Sequence, residues 1–530
     1  MEFLLWSSGR AVLDLVKFAD AKVEAGTMKK KRLITPGTKR VTKWVSAALS
    51  TEDSSADHSP DTSESTVVTI QIGDAYQKSK DPEHLPPTSA WQRFGNAIRA
   101  ISHILGSQES AFGFRVACAT LSIGIVAFLR DTQAFFIQQR LVWAMIMVSI
   151  GMTVTAGAGV FGFVGRVAGT VIAMCTSYLI WYIVDGKMPG VIVLLFAFTF
   201  CETYFVLKYP RFTVIALISM VTQVLVVGYE LQVQKVGVQV AQSSGQPAYP
   251  LYELAPYRLA CVSGGMLVAF IWTFFPFPLT ARSQLRKDLG ASLYLLANYY
   301  SCVHTTVRMR LDGSGGNPQD KTSPERRLDK ARAQVFTKEL ALLAGLRQHS
   351  AFTKWEPTLG GKFPRQKYDT IIQEVQNILN YMALISYASS ILQYDDENDP
   401  EQASWLKTFG QLVRSVDLTS HELTSTLSLL SAAVTHGNPL PPYLQAPEPY
   451  KLSAKLEAID ADILNISHIA EPGYAAFAVM QIASSLISDD MGKLIQNVKS
   501  LVGEVDFSFH IISSSDDALE TKAGPKGKVD

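Results

Sequence analysis

Long apolar stretches, broken only by short polar segments, fill the middle of the chain. Arg166 is the only charged residue between positions 141 and 184, and only three charged residues fall between positions 191 and 228. A helix needs roughly 17–25 predominantly apolar residues to cross a bilayer. The pattern therefore predicts six membrane spans, at about 112–129, 141–157, 160–184, 191–207, 212–228 and 259–275.

Two helical patterns precede the first predicted span. Residues 1–25 have the spacing of one amphipathic helix. A second helix is predicted to lie on the membrane surface, because apolar side chains recur at helical spacing at Trp91, Phe94, Ile98, Ile101 and Leu105. Residues 50–66 are rich in Ser, Thr and Asp, which is typical of disorder. Residues 28–43 are basic, and they form either a solvated linker or a contact with anionic lipid.

After residue 280 the chain changes to amphipathic helical patterns separated by polar linkers. These patterns lie at about 283–310, 327–350, 367–394, 402–435, 452–466 and 474–503. The sequence has no strand alternation, so the predicted fold class is all-α, with a six-span transmembrane helical bundle followed by a helical cytoplasmic domain. A modest excess of basic residues on one side of the spans places both chain ends in the cytoplasm.

These patterns divide the chain into four parts. The predicted parts are a cytoplasmic helix with a basic and disordered linker at 1–90, a six-span transmembrane domain at 91–280, a helical cytoplasmic domain at 281–512 and a disordered tail at 513–530.

The composition and motifs argue against several classes of partner and activity. A formal net charge of +1 gives no global field that would favour nucleic acid as a partner. The 5 cysteines form no C-x-x-C pair, and the histidines are scattered, so neither a metal site nor a cofactor is predicted. The sequence lacks the motifs of zinc proteases, P-loop proteins and serine hydrolases. It therefore offers no candidate catalytic residue. We therefore do not expect an enzyme.

One glycine-rich stretch, TAGAGVFGFVGRVAGT at residues 155–170, contains a G-x-G-x-x-G that is typical of a dinucleotide-binding turn. That motif requires a short strand before the glycines and a helix with a polar face after them. Here 25 uncharged residues precede Arg166, and the segment that follows is apolar on all sides. We therefore predict a hairpin between spans two and three, with its turn near Gly157 and Gly159.

Small residues repeat every four positions in two of the spans, which gives each span a face for close backbone approach. Plain packing within one bundle and a dimer interface both explain such faces. The residues are Gly165, Gly169, Ala173 and Ser177 in the third span, and Cys261, Gly265, Ala269 and Thr273 in the sixth.

Polar side chains inside the spans are few, so each is a candidate for a substrate or ion pathway. Glu202 is the only acid well inside a span, and we expect it to pair with Arg166 or Arg115 at similar depth. Such a pair is either structural or part of a substrate or proton site. Gln223 lies in the middle of the fifth span. Arg258 lies at the start of the sixth span and begins an Arg-aliphatic-Ala-small pattern. Arg115 and Arg166 begin the same pattern.

Several long segments resemble a group of fungal integral membrane proteins. FLRDTQAFFIQQRLVWAMIMVSI and LKYPRFTVIALISMVTQVLVVGYELQ are similar to the transporter domain of the fusaric acid resistance and aromatic acid exporter superfamily. FTKWEPTLGGKFPRQKY resembles the cytoplasmic domain of brefeldin A sensitivity-related fungal proteins. The resemblance covers roughly residues 85–510. It implies a six-span bundle followed by a helical cytoplasmic region.

The resemblance also implies a partner. Full-length members of this group carry two six-span bundles, and this chain is similar to the second half alone. The chain is therefore either truncated, lacking an N-terminal six-span half, or a half-transporter that works as a homodimer.

The resemblance implies a multi-pass membrane protein, in contact with the lipid bilayer, that exports small organic or aromatic acids. The alternative is a scaffold that transports nothing and whose cytoplasmic helices bind a partner. Convergence of Arg115, Arg166 and Glu202 on one water-accessible cavity would favour the transporter. The sequence leaves both the endoplasmic reticulum and the plasma membrane open as locations.

Overall fold

A computed structural model describes residues 2–24, 89–242, 247–275, 278–312, 323–357, 361–392, 409, 421–447 and 472–505. Several expectations fall outside the described residues: the basic segment 28–43, the polar segment 50–66, the helix at 452–466 and the tail from 513.

Ten helices make up the first half of the described chain. They are α1 (Glu2–Glu24), α2 (Ala90–Leu105), α3 (Gln108–Phe128), α4 (Arg130–Gln138), α5 (Val142–Gly151), α6 (Ala156–Val184), α7 (Met188–Lys208), α8 (Thr213–Val236), α9 (Val238–Ala241) and α10 (Leu251–Phe274). Five of them, α3, α6, α7, α8 and α10, are long and apolar enough to cross a membrane. The apolar residues of α2 are exposed, as expected for a helix at a membrane surface.

The second predicted span differs from expectation. In place of one helix over 141–157, the structure has the ten-residue helix α5, joined to α4 at an angle of 79°. The bundle therefore has six spans only if the bent pair α4–α5 counts as one. The break follows from the backbone of Arg140, which is left-handed with φ of 53° and cannot continue a right-handed helix.

Helix α6 is central to the membrane bundle, where it packs against α8 and α10. A Cβ atom at Gly169 would overlap the carbonyl oxygen of Ile215 on α8, and one at Gly165 would lie 3.3 Å from the Ile215 side chain. A Cβ atom at Gly265 on α10 would lie 2.9 Å from the carbonyl oxygen of Ala144 on α5. Both small-residue faces are therefore covered by neighbouring helices of the same chain.

Replacing Gly169 by alanine is expected to destabilise the bundle by about 1–3 kcal/mol, the usual cost of overpacking, because the new methyl group meets backbone that cannot rotate away. Gly228→Ala on α8 is the matched control, since nothing lies within 4 Å of its added Cβ. Thermal unfolding in detergent should show a lower midpoint for the first variant only. Equal midpoints would contradict the close α6–α8 contact.

Five further helices form the C-terminal helical region: α11 (Ala281–Asp312), α12 (Pro324–Phe352), α13 (Arg365–Ala388), α14 (Glu422–His436) and α15 (Pro472–Val502). Their predicted counterparts are confirmed to within a few residues, apart from the 402–435 helix, of which Glu422–His436 and residue 409 are described. Leu285, Leu289, Leu293 and Leu296 form the buried face of α11. They belong to a core separate from that of the membrane bundle. Within the described residues the only β pairing is an isolated bridge between Leu440 and Glu504.

Glu339 on α12 makes this region sensitive to pH. Burial raises the pKa of Glu339 from 4.5 to about 8, although Ser292 donates a hydrogen bond to its carboxyl group. The carboxyl group is therefore protonated in the folded chain at neutral pH and ionised in the unfolded chain. Its contribution to stability is complete below pH 4.5 and is lost as the pH rises to about 8.

We expect the free energy of unfolding of this region to fall between pH 6 and pH 8, by up to about 1.4 kcal/mol per pH unit from this group. Glu339→Gln keeps an acceptor for Ser292 and should flatten that slope. Denaturant unfolding of the full chain at several pH values measures it, with exposed Glu422→Gln as control. An unchanged slope in the Glu339 variant would show that another group sets the pH dependence.

Candidate functional site

The glycine-rich stretch does not form the expected hairpin turn. Helix α6 begins at Ala156, so Gly157, Gly159 and Gly162 all lie in its first two turns. Residues 152–155, before these glycines, form the short non-helical connection between α5 and α6. The prediction placed the turn on the glycines because they permit turns, whereas the structure uses the first of them for close contact with another helix.

Glu356, just after α12, joins the membrane bundle to the C-terminal helical region. Its Oε1 atom accepts hydrogen bonds from the backbone N–H groups of Gly157, at 3.2 Å, and of Ala281. These groups lie in the first turns of α6 and α11, where unpaired N–H groups and the helix dipole favour an anion. Its Oε2 atom lies 3.4 Å from Nε of Arg282. One buried carboxylate therefore caps a membrane helix and a helix of the C-terminal region together.

The contact around Glu356 explains why the first glycine is small. A Cβ atom at Gly157 would lie 2.5 Å from the carbonyl oxygen of Phe352. One turn further along α6, Phe161 packs against the rings of Phe352 and Trp355, with centroid distances of 5.9 and 5.2 Å. The anion-binding geometry that the glycine motif resembles is thus filled by a carboxylate of the same chain. We call this contact the Glu356 junction.

Arg115 and Arg166 bind the ends of neighbouring helices. Nη2 of Arg166 donates to the carbonyl oxygen of Ile150 at 3.0 Å, in the last turn of α5. Nη1 of Arg115 donates to the carbonyl oxygen of Thr273 at 3.3 Å, in the last turn of α10. A cation is favourable at a helix C-terminus, where carbonyl groups lack partners within the helix. This capping also explains how α5 can end within the apolar segment.

Glu202 lies instead in a hydrogen-bonded network between α6, α7 and α8. Ser219 donates its hydroxyl to Oε1 of Glu202 at 2.6 Å, and the amide of Gln223 donates to Oε2 at 3.0 Å. Thr176 on α6 donates to the carbonyl oxygen of the Gln223 side chain at 3.0 Å. Gln223 is fully buried and Glu202 half-buried. We call these four residues the Glu202 network.

The expected ion pair is absent: within the described residues, Glu202 makes no salt bridge with Arg166 or Arg115. The network brings together two predicted candidates, Glu202 and Gln223, and leaves both arginines out. The sequence contained one usable signal. Ser219 and Gln223 are four residues apart, so they share a helix face. Thr176 gave no signal, because a single threonine in a span is common.

A cavity of about 80 Å³ lies at the end of the bundle away from the Glu356 junction. Arg258 on α10 lines this cavity. It lies 16 residues before Phe274, the last residue of α10, which is about 24 Å along the helix axis at 1.5 Å per residue. Its guanidinium carbon lies 3.8 Å from the ring centroid of Trp143. Arg140, which was not among the candidate residues of the sequence, also lines the cavity and stacks on Tyr229 at 4.2 Å. The candidate arginines therefore occupy separate places and do not converge on one cavity.

Comparisons with known proteins agree with this architecture. Residues 109–272, which run from the first turn of α3 to the last turn of α10, match the family model described as fusaric acid resistance protein-like. Residues 280–506 match the model described as Brefeldin A-sensitivity protein 4-like domain. Both parts of the predicted resemblance are confirmed. The chain is thus similar to transporter- or resistance-type membrane proteins.

One curated relative is an uncharacterized protein of Schizosaccharomyces pombe. It is 24% identical over 382 residues, which are 69% of this chain. The chain spans about a quarter of the relative's own length, since the match covers 26% of it. The fungal character of the resemblance is confirmed. The apolar helices and the family match indicate a multi-pass membrane protein in contact with lipid.

Proposed function

We propose that the chain is a transporter-like protein that exports small organic or aromatic acids, and that the Glu202 network couples this export to protons. The network itself carries the proposal. An ionisable residue within a membrane span is costly and usually belongs to a transport or proton pathway. Here Ser219 and Gln223 on α8 donate hydrogen bonds to the Glu202 carboxylate, and Thr176 on α6 binds the side-chain amide of Gln223.

The hydrogen bonds of the network suit a group that exchanges a proton. As a carboxylate, Glu202 accepts from both Ser219 and Gln223. Thr176 fixes the amide of Gln223 with its donor side towards the acid. Protonation of Glu202 replaces an acceptor with a donor, so the pairing among α6, α7 and α8 must change. A proton can therefore bias how these three helices sit against one another.

The proposal also requires a second six-span bundle if the chain works as its resemblance implies. A second copy of the chain or a preceding half of a longer chain would supply it. Residues of this bundle alone form the Glu202 network, so its effect can be measured in either arrangement.

Efflux from vesicles containing the purified chain tests the proposal. Phthalate and succinate serve as labelled aromatic and aliphatic acids, because dicarboxylates cross protein-free bilayers slowly. Acidifying the exterior should accelerate efflux from wild-type vesicles. Glu202→Gln should lose this acceleration, because a glutamine side chain cannot bind and release the coupling proton. Glu109→Gln, an exposed acid at the start of α3, should behave as wild type.

A scaffold function is the competing proposal. The C-terminal helical region has its own large core, and the Glu356 junction ties it to α6. Vesicles that show no protein-dependent efflux of either acid, at any imposed pH difference, would favour the scaffold and contradict transport by copies of this chain.

A further inference from the structure

We propose that the cavity between Arg140 and Arg258 binds a small organic anion through its carboxylate, with a flat apolar group of the same molecule held against aromatic side chains. None of the four residues of the Glu202 network lines this cavity, and binding there can be measured without any transport. The inference rests on the proposed function only in assigning the bound anion as cargo.

The first argument is an unneutralised buried charge. Arg258 is 7% exposed, and its Nε and Nη2 atoms are buried without a hydrogen-bond partner. Nε of Arg140 is also buried and unpartnered. Among the described residues, neither arginine forms a salt bridge with a carboxylate. A buried guanidinium without a counter-ion is strongly unfavourable, and an anion in the cavity that both arginines line would neutralise this charge.

The second argument is the shape and chemistry of the walls. Four aromatic side chains line the cavity: Trp143, Tyr229, Tyr249 and Tyr257. Its volume of about 80 Å³ is several times the roughly 10–15 Å³ that a single water requires on the same scale. A one-ring carboxylate is of the right order of size. Aromatic walls with a few fixed polar groups are typical of sites for small molecules.

The third argument is the way the two guanidinium groups are held. Trp143 stacks on Arg258, while Arg140 stacks on Tyr229 and donates to its hydroxyl group and to the carbonyl oxygen of Pro247. Arg140 also has the left-handed backbone at the α4–α5 break. Such strain in a residue other than glycine persists only where the surroundings enforce it, and it occurs often at ligand sites. The break in this membrane segment therefore directs an arginine into the cavity.

Calorimetric titration tests the site directly. The full-length chain is placed in phosphatidylcholine nanodiscs, which contain no anionic lipid, and benzoate is the probe. Benzamide has the same ring and shape without the charge. We expect saturable benzoate binding, and at least about tenfold weaker binding of benzamide, because a charge-assisted hydrogen bond is lost.

Variants assign the binding to the two arginines. Arg258→Gln and Arg140→Gln should each weaken benzoate binding at least about tenfold. Arg258→Lys keeps the charge and helps folding, but it should bind less tightly than wild type because lysine lacks the planar fork. Arg130→Gln, an exposed arginine at the start of α4, is the matched control and should bind normally.

Three results would overturn the inference. They are equal affinity for benzoate and benzamide, unchanged benzoate affinity in a folded Arg258 variant, or binding of inorganic phosphate without benzoate. Benzoate binding without efflux would uphold the site and refute transport. Efflux without benzoate binding would support transport and refute the proposed binding site.

Discussion

Glu356→Ala is expected to lower the free energy of unfolding by about 2–4 kcal/mol, because two helix caps disappear and buried N–H groups lose their acceptor. The N–H groups of Gly157 and Ala281 should then exchange with solvent much faster. Hydrogen exchange followed by mass spectrometry measures both amides in the full chain. Glu356→Gln keeps an acceptor oxygen at the same place and should lose less stability.

The Glu356 junction can also be opened from its other side. Gly157→Ala introduces a methyl group against the carbonyl oxygen of Phe352 and should raise exchange at the same two amides. Because both changes act on one contact, the double variant should be less destabilised than the sum of the single variants. Additive effects, or slow exchange retained in Glu356→Ala, would mean that the junction does not hold the two regions together.

Arg310→Ala is expected to destabilise the C-terminal helical region by about 3–5 kcal/mol, the cost of removing one partner of a buried ion pair. The guanidinium of Arg310, on α11, donates to Glu325 at 2.8 Å and to the hydroxyl of Ser389 at 2.8 Å. Glu325 is 2% exposed, so its carboxylate would be left buried without this cation. The variant thus removes the contact that joins α11 to α12 through Glu325 and to the turn after α13 through Ser389.

Arg332 provides the matched control for Arg310. It forms an ion pair with Asp329 at 3.0 Å, in a more exposed position on α12. Its side chain is 20% exposed, against 5% for Arg310, so solvent can replace more of the lost contact and Arg332→Ala should cost less than Arg310→Ala. Denaturant unfolding of the two variants compares a fully buried and a partly buried arginine in the same region. Similar losses in both variants would contradict the buried position of Arg310.

The membrane-spanning architecture could be predicted largely because apolar runs are long and charges are rare. The second span was predicted wrongly because its interruption depends on tertiary contacts. Arg166 caps α5 from a neighbouring helix, and the bend depends on the left-handed backbone of Arg140. Neither the cap nor the backbone angle leaves a periodic signal in the sequence.

The candidate site shows a similar division. Glu202 and Gln223 could be found because charged and amide side chains are unusual within apolar spans. Of their partners, Ser219 was indicated only by its spacing of four residues from Gln223. Thr176 could not be found, since hydroxyl residues satisfy themselves within membrane helices and are common there. The glycine motif misled in a different way. Glycine permits both turns and close packing, and only the position of Phe352 and Glu356 decides between them.

The most direct test of proton-coupled export is the internal pH of sealed vesicles that contain the chain and a trapped pH-sensitive dye. An outward gradient of phthalate, with no imposed pH difference, should acidify the interior of wild-type vesicles, because protons enter as the anion leaves. The same gradient should leave the internal pH of Glu202→Gln vesicles unchanged. Phthalate efflux from wild-type vesicles without internal acidification, or acidification that persists in the variant, would contradict the account.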